Sequence, residues 1–355
     1  MMRHQQILPY QKTFRRFLQN QLPALAIGLC LFSTTKIQAQ DPRFSQFFSS
    51  PLTLNPALTG NFNGTMRAVA NIRSQNTEYN NAYTTKTVSL DFPVLSNKIS
   101  YTDQLSLGVL ILSDQTGNKL ITNNNLGISM AYLKGLDGDH VRSITLGFQA
   151  NYSNKRFNTA NAQFEDQLTP GGFTNSSSDA LLGNNLSASS IDLNAGLLYQ
   201  YTPSTENHYY LGASLFNILG TTKGFTTGDY TSGLRKTVHG GMYAPLGYNG
   251  TLHGSFNFQQ QRGFNQLSIG GAYSYYIKET LKSYLELYVG GWYRTDQTLI
   301  PYMGIEWNYF RLGYTTDVAL NGSVTGGQLR QSNEISLYYP LNKDRSLLKY
   351  KCGVF

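Results

Sequence analysis

The chain has 355 residues, of which 14 % are charged and 13 % aromatic, with 25 Tyr, 19 Phe and 34 Gly. This excludes a disordered chain, which would be poor in aromatics, and the length allows one to three domains. The formal net charge is +8, but its placement weakens any argument for nucleic-acid binding.

Residues 1–39 read as a secretory signal peptide. Arg3, Lys12, Arg15 and Arg16 make a basic start, and LPALAIGLCLFS is the apolar core, too short to span a bilayer as a helix. Ile37-Gln38-Ala39 suits a cleavage site between Ala39 and Gln40. Leu29 precedes Cys30, which does not suit lipidation. The segment holds five Lys or Arg and no acid, so its removal leaves 23 basic against 20 acidic side chains. Nucleic acid is therefore not an expected partner. Cys352 is then the one remaining cysteine, so no intrachain disulfide is available.

Residues 40–63 begin QDPRFSQFFSSPLTLNPALTG. Pro42, Pro51 and Pro56 cannot donate to a β-ladder, so this stretch is expected to be non-strand backbone. Yet Phe44, Phe47, Phe48, Leu52, Leu54 and Leu58 need burial. A lead-in packed on the first strand would supply it. So would a barrel lumen near its periplasmic mouth, or the groove of a partner protein.

From Gly64 onward the apolar period is two. In ITLGFQANY, Ile144, Leu146, Phe148, Ala150 and Tyr152 alternate with Thr145, Gly147, Gln149 and Asn151. In IDLNAGLLYQY, Ile191, Leu193, Ala195, Leu197, Tyr199 and Tyr201 form the apolar set. Such alternation sets one face in an apolar medium and the other among polar or small groups. Segments of about 9–12 residues are long enough for tilted strands to cross the hydrocarbon. Aromatic clusters such as YQY, YSYYI, WYR and YMGIEWNYF suit interfacial girdles.

Lipid forbids an open sheet edge, so the expected fold is all-β, a closed antiparallel transmembrane barrel of about 14 strands over 64–340. The strands are expected at 64–75, 83–94, 104–114, 121–134, 140–153, 189–202, 207–217, 235–245, 250–260, 264–277, 283–294, 299–308, 309–319 and 331–340. Long connections, 154–188, 218–234 and 320–330, follow odd strands, and short ones such as TPSTEN, LGYN and ETLK follow even strands. That one-sidedness places both termini in the periplasm of an outer-membrane barrel. The loop 154–188 reads either as a flexible surface loop or as one that grips a partner. The tail 341–355 holds Lys343, Arg345, Lys349 and Lys351 against Asp344. It reads as a solvated tail or as a contact for an acidic partner or lipid headgroups.

No catalytic constellation, cofactor site or metal site emerges. Beyond the signal peptide the histidines are His140, His208, His239 and His253. His239 and His253 fall on adjacent strands, where they read as paired wall residues rather than ligands. Ser255 shares a face with His253, as alternating polar positions will. Glu286 and Glu306, with Tyr302 and Asn308, should face the lumen and pair with Arg67, Arg73 or Arg294.

The motifs resemble a known family. Gln40-Asp41-Pro42, Phe44-Ser45-Gln46, Asn55-Pro56-Ala57 and Gly60 are similar to the mature start of the PorP/SprF family of type IX secretion membrane proteins. GGWYRTDQTLIPYMG, with Trp292, Tyr293, Arg294 and Asp296, resembles that family's Trp-Tyr-Arg hairpin. LGYTTDV and NEISLYY, with Glu334, resemble its last two strands. Family members often end in Cys-Pro-x-Phe; here Gly353 stands in place of the proline. The resemblance implies a non-enzymatic outer-membrane barrel supporting secretion or surface anchoring of a type IX cargo, of the gliding-adhesin type. It also implies contact with lipid, cargo and periplasmic ring or peptidoglycan-binding components. Asp41, Pro42, Phe44, Ser45, Gln46, Phe47, Asn55 and Pro56 are the residues expected at a partner contact or lumen plug. The alternative is a passive porin or hydrophobic-solute channel.

Overall fold

A computed structural model describes residues 41–341, apart from 76–82, 97–101, 118, 139–140, 160–161, 163–164, 175–176, 178–184, 205, 224–228, 232, 280–283, 309 and 321–330. The expected signal peptide with Gln40, His140 and the tail from 342 onward lie outside the described residues.

The alternating segments become β1 (Met66–Gln75), β2 (Tyr83–Ser96), β3 (Gln104–Thr116), β4 (Ile121–Gly135), β5 (Arg142–Asn158), β8 (Asn185–Tyr201), β9 (His208–Phe216) and β12 (Arg235–Pro245). They continue as β13 (Gly250–Gln261), β14 (Phe264–Glu279), β15 (Tyr284–Arg294), β16 (Thr298–Trp307), β17 (Phe310–Ala319) and β18 (Gln331–Leu341). Each pairs with its neighbours antiparallel, and β1 closes on β18 from Met66↔Leu341 to Gln75↔Ser332. The result is a closed barrel of 14 strands. Two small hairpins stand apart from the wall: β6 (Leu168–Thr169) with β7 (Gly172–Phe173), and β10 (Thr221–Lys223) with β11 (Asp229–Thr231). The first shows that the connection expected as one long loop is partly ordered, and β5 and β8 extend into it as 17-residue strands.

Period two sorts the side chains. Ile72, Val88, Ile111, Ile128, Phe148, Ile191, Leu211, Ile269, Val289 and Met303 lie exposed on the outer face. Thr87, Ser89, Ser129, Thr145, Asn194, Ser214 and Ser336 are buried on the inner face. An apolar exterior with a polar interior is the arrangement lipid requires of a barrel. Pro93 falls where the β2–β3 register shifts, a position that tolerates a missing ladder donor.

The barrel has two unlike ends. No connection at the end that holds Met66 and Leu341, the turn end, is long, although the other end also has short ones at 117–120, 262–263 and 295–297. The connections holding the small hairpins, and the one after β17, occupy the loop end.

One expectation is corrected here. Trp292 of the WYR cluster is buried in the lumen rather than set in an interfacial girdle, while Tyr302 faces the lumen as expected, as do Tyr288, Tyr210 and Tyr243. On β15 the parity of Trp292 and Tyr288 matches Glu286 and Arg294, not the lipid-facing Leu287, Val289 and Tyr293. Tyr209, Tyr273, Tyr275, Trp307 and Phe310 do lie exposed on the outer face.

Candidate functional site

The opening segment lies inside the barrel. Proline breaks it into three single turns: 3-10 turns at Phe47–Ser49 and Pro56–Leu58, and an α turn at Pro51–Leu54. Its backbone bonds are local, such as Asn55 N–H to the Pro51 carbonyl at 3.0 Å and Thr59 N–H to that of Pro56 at 3.1 Å. Pro56 opens its turn at the first position, and the Asn55 side chain caps it by accepting from Ala57 N–H at 2.9 Å. Irregular backbone at membrane depth is tolerable because protein surrounds it.

The segment runs the length of the lumen. Asp41 sits at the loop end, where its N–H donates to Gln261 at 3.2 Å and its carboxylate accepts from Asn217 at 2.8 Å. Gly60 sits near the turn end, its carbonyl accepting from Gln104 at 2.8 Å. Asp41 and Leu341 therefore lie at opposite ends, so the expectation of both termini on one side does not describe Asp41. Nor is the segment confined to one mouth.

Two polar seats hold it. Toward the loop end, Glu334 accepts the N–H groups of Ser45 at 2.7 Å and Gln46 at 3.1 Å. The Gln46 amide nitrogen donates to the Glu334 carbonyl at 3.1 Å, and its oxygen accepts from Ser336 at 2.6 Å. Asp317 accepts from the Ser45 hydroxyl at 2.9 Å, and Arg73 and Arg294 bridge the same carboxylate at 2.8 and 2.9 Å. Arg73 also donates to the Arg43 carbonyl. Toward the turn end, Arg67 grips Asp91 through Nε at 3.0 Å and Nη2 at 2.6 Å and donates to the Leu58 carbonyl at 2.8 Å. Asp91 also accepts Gly60 N–H at 2.7 Å.

Between these seats the contact is steric and aromatic. Phe48 lies 4.6 Å from the Trp292 ring and 5.4 Å from Tyr302. Phe47 meets Trp292 edge-on at 6.5 Å, and the indole N–H donates to Ser255 at 3.0 Å. The Asn-Pro-Ala turn presses on the wall at paired Gly147 and Gly196. A Cβ on Gly147 would fall 2.2 Å from the Ala57 nitrogen, and one on Gly196 would fall 1.8 Å from Asn55 Oδ1. The Asn55 amide nitrogen reaches the Leu197 carbonyl at 3.0 Å and His239 Nε2 at 3.0 Å.

The residues singled out in the sequence thus separate. Asp41, Ser45, Gln46, Phe47, Asn55, Pro56, Trp292, Arg294 and Glu334 meet in this lumen assembly. Pro42 and Phe44 are half-buried along it. Tyr293 faces outward, and Asp296 accepts from Arg294 at 2.8 Å. The expected ion pairs are corrected. Glu306 pairs with Arg311 at 2.7 Å, and Glu286 accepts from Tyr288 at 2.8 Å. Arg67, Arg73 and Arg294 serve Asp91 and Asp317 instead. His239 and His253 do not face each other, since His239 pairs with Asn257 and His253 with Tyr243. Sequence reasoning passed over Asp91 and Asp317, although the strand parity that points Arg67 inward points Asp91 inward too. Among the described residues no group of three or more His, Cys, Asp or Glu could hold a metal ion.

The chain is similar in structure to the Pseudomonas putida toluene transporter TodX, at 8 % identity over 81 % of this chain and 91 % of that one, with a TM-score of 0.48. A Pseudomonas aeruginosa FadL homologue is similar at 7 % identity over 83 % and 94 % of the two chains, with a TM-score of 0.46. No curated protein matches. Residues 36–339 match the family described as type IX secretion system membrane protein PorP/SprF, and the chain belongs to that family.

Proposed function

We propose that this protein is a closed outer-membrane barrel that holds or helps deliver a secreted type IX cargo protein, with residues 41–63 acting as its lumen plug. The observation that carries the reading is the filled lumen. Hydrogen bonds tie the segment to strands on all sides, from Arg67 and Asp91 through Gln149, Ser214 and Arg235 to Asp317 and Glu334. A solute pore would need this plug to leave. A holder of surface protein gains from a closed, rigid wall.

In this reading the loop end faces the exterior and engages cargo, while the turn end faces the periplasm. The support is the pattern of long and short connections, which outer-membrane barrels share. Periplasmic ring or peptidoglycan-binding components would meet the turn end, where Leu136, Leu246 and Tyr248 are exposed. The role is non-enzymatic.

Affinity isolation of the detergent-extracted barrel from its native membrane, followed by mass spectrometry, tests it. Recovery of a large secreted protein with a type IX C-terminal domain is expected. Recovery of the barrel alone, with open conductance in planar bilayers, would overturn the reading in favour of a passive channel.

A further inference from the structure

Most polar groups along the lumen are mutually satisfied. Gln149, for example, accepts from Asn194 at 2.8 Å and donates to the Leu52 carbonyl at 3.4 Å. Several buried polar atoms, among them Tyr210 Oη, Thr237 Oγ1, Asn257 Oδ1 and Asn151 Oδ1, have no partner, and the last of these belongs to a residue beside an open space. Toward the loop end a cavity of about 130 Å³ remains between the opening segment and the wall. At about 30 Å³ per water it has room for about four waters.

Asn125 and Asn151 line this cavity. Asn151 Oδ1 is buried without a partner, and Asn125 is half-buried on the inner face. Arg235, itself buried, also lines the cavity and donates through Nη2 to the Thr53 carbonyl at 3.0 Å. A primary amide offers one acceptor and two donors, the complement of a peptide group. Asn123 and Asn125 stand two positions apart on the inner face of β4, a repeat of about 6.7 Å. An extended peptide repeats its same-side backbone groups at that spacing. Leu112 and Phe216 supply an apolar flank. Charge is balanced, since Lys155 and Arg235 share the lining with Asp41 and Asp192. A strongly charged ligand therefore gains nothing here.

We propose that this vestibule binds a short, extended, uncharged stretch of polypeptide through amide-to-backbone hydrogen bonds. Resting on the function proposed above, that stretch belongs to the cargo protein and enters from the loop end.

The test uses the full barrel in detergent micelles, panned against a random heptapeptide phage library. Selected peptides are synthesised and their affinity measured by fluorescence anisotropy. Binding is expected to weaken about tenfold for backbone N-methylated copies and for the double variant Asn125→Leu/Asn151→Leu, as loss of two hydrogen bonds implies. Asn125→Asp, which keeps the shape but removes the donors, should weaken it as well; heat-modifiable gel mobility checks that each variant is a folded barrel. Failure to select any peptide above empty micelles would overturn the proposal. So would equal binding by the double variant, or binding of maltose at this site in place of peptide. Cargo that copurifies undiminished with the double variant would overturn this site while leaving the holder reading intact. Absence of cargo from the parent barrel would overturn the holder reading itself.

Discussion

Asp91→Ala should unseat the turn-end half of the plug. The Asp91 carboxylate is 0 % exposed and takes two bonds from Arg67, at 3.0 and 2.6 Å, and one from Gly60 N–H at 2.7 Å. Its loss strands a buried guanidinium and a buried N–H. Breaking a buried ion pair by removing one partner costs about 3–5 kcal/mol. The orphaned amide adds about 1–3 kcal/mol. Water entering the lumen relieves part of both, so a net cost of about 3–5 kcal/mol is expected. The β1–β2 ladder at Arg67↔Asp91 uses backbone groups and survives. The cost therefore falls on plug docking rather than on the wall. At about 1.4 kcal/mol per tenfold, docking weakens by at least about a hundredfold. Limited proteolysis of the folded barrel reads this directly as faster cleavage within residues 41–63. The variant Arg67→Met/Asp91→Ala, which removes both charges, should be protected better than Asp91→Ala alone. Cleavage of Asp91→Ala at the parental rate would refute the reasoning.

Three further outcomes follow from the same geometry. Gly147→Val places side-chain carbon where the Ala57 nitrogen sits, 2.2 Å from even a bare Cβ, so the Asn-Pro-Ala turn must lift; overpacking of about 1–3 kcal/mol or more should appear as faster cleavage of the segment. Trp292→Ala removes a side chain that is 1 % exposed and packed at a tilt against Phe48, with ring centroids 4.6 Å apart; a loss of about 3–5 kcal/mol should show in urea unfolding followed by tryptophan-independent gel mobility. Ile128→Arg puts a charge on an outer-face position that is 60 % exposed, and refolding titrations in lipid vesicles should show a cost of about 2–4 kcal/mol if that face meets the hydrocarbon midplane.

Much of the wall was legible because alternation and turn residues act locally. β12 matches the expected 235–245, and β1, β9 and β16 differ from expectation by one or two residues at their ends. The opening segment was legible as non-strand, because Pro42, Pro51 and Pro56 forbid a ladder wherever they sit. Its path was not, because no period registers Asn55 against Gly147 and Gly196, which lie far away in sequence. The ion pairs failed for a related reason: parity says which residues face inward, not how far along the axis each one lies. Glu306 meets Arg311 within its own hairpin, while Arg73 and Arg294 converge on Asp317. Trp292 was misjudged by composition, although parity with Glu286 would have turned it inward.

The most direct measurement is single-channel recording of the intact barrel in planar bilayers, beside a variant lacking residues 41–62. The account predicts no steady ion conductance for the intact protein and stepwise opening once the segment is gone. Open conductance from the intact barrel, unchanged by the deletion, would contradict a lumen closed by its own opening segment.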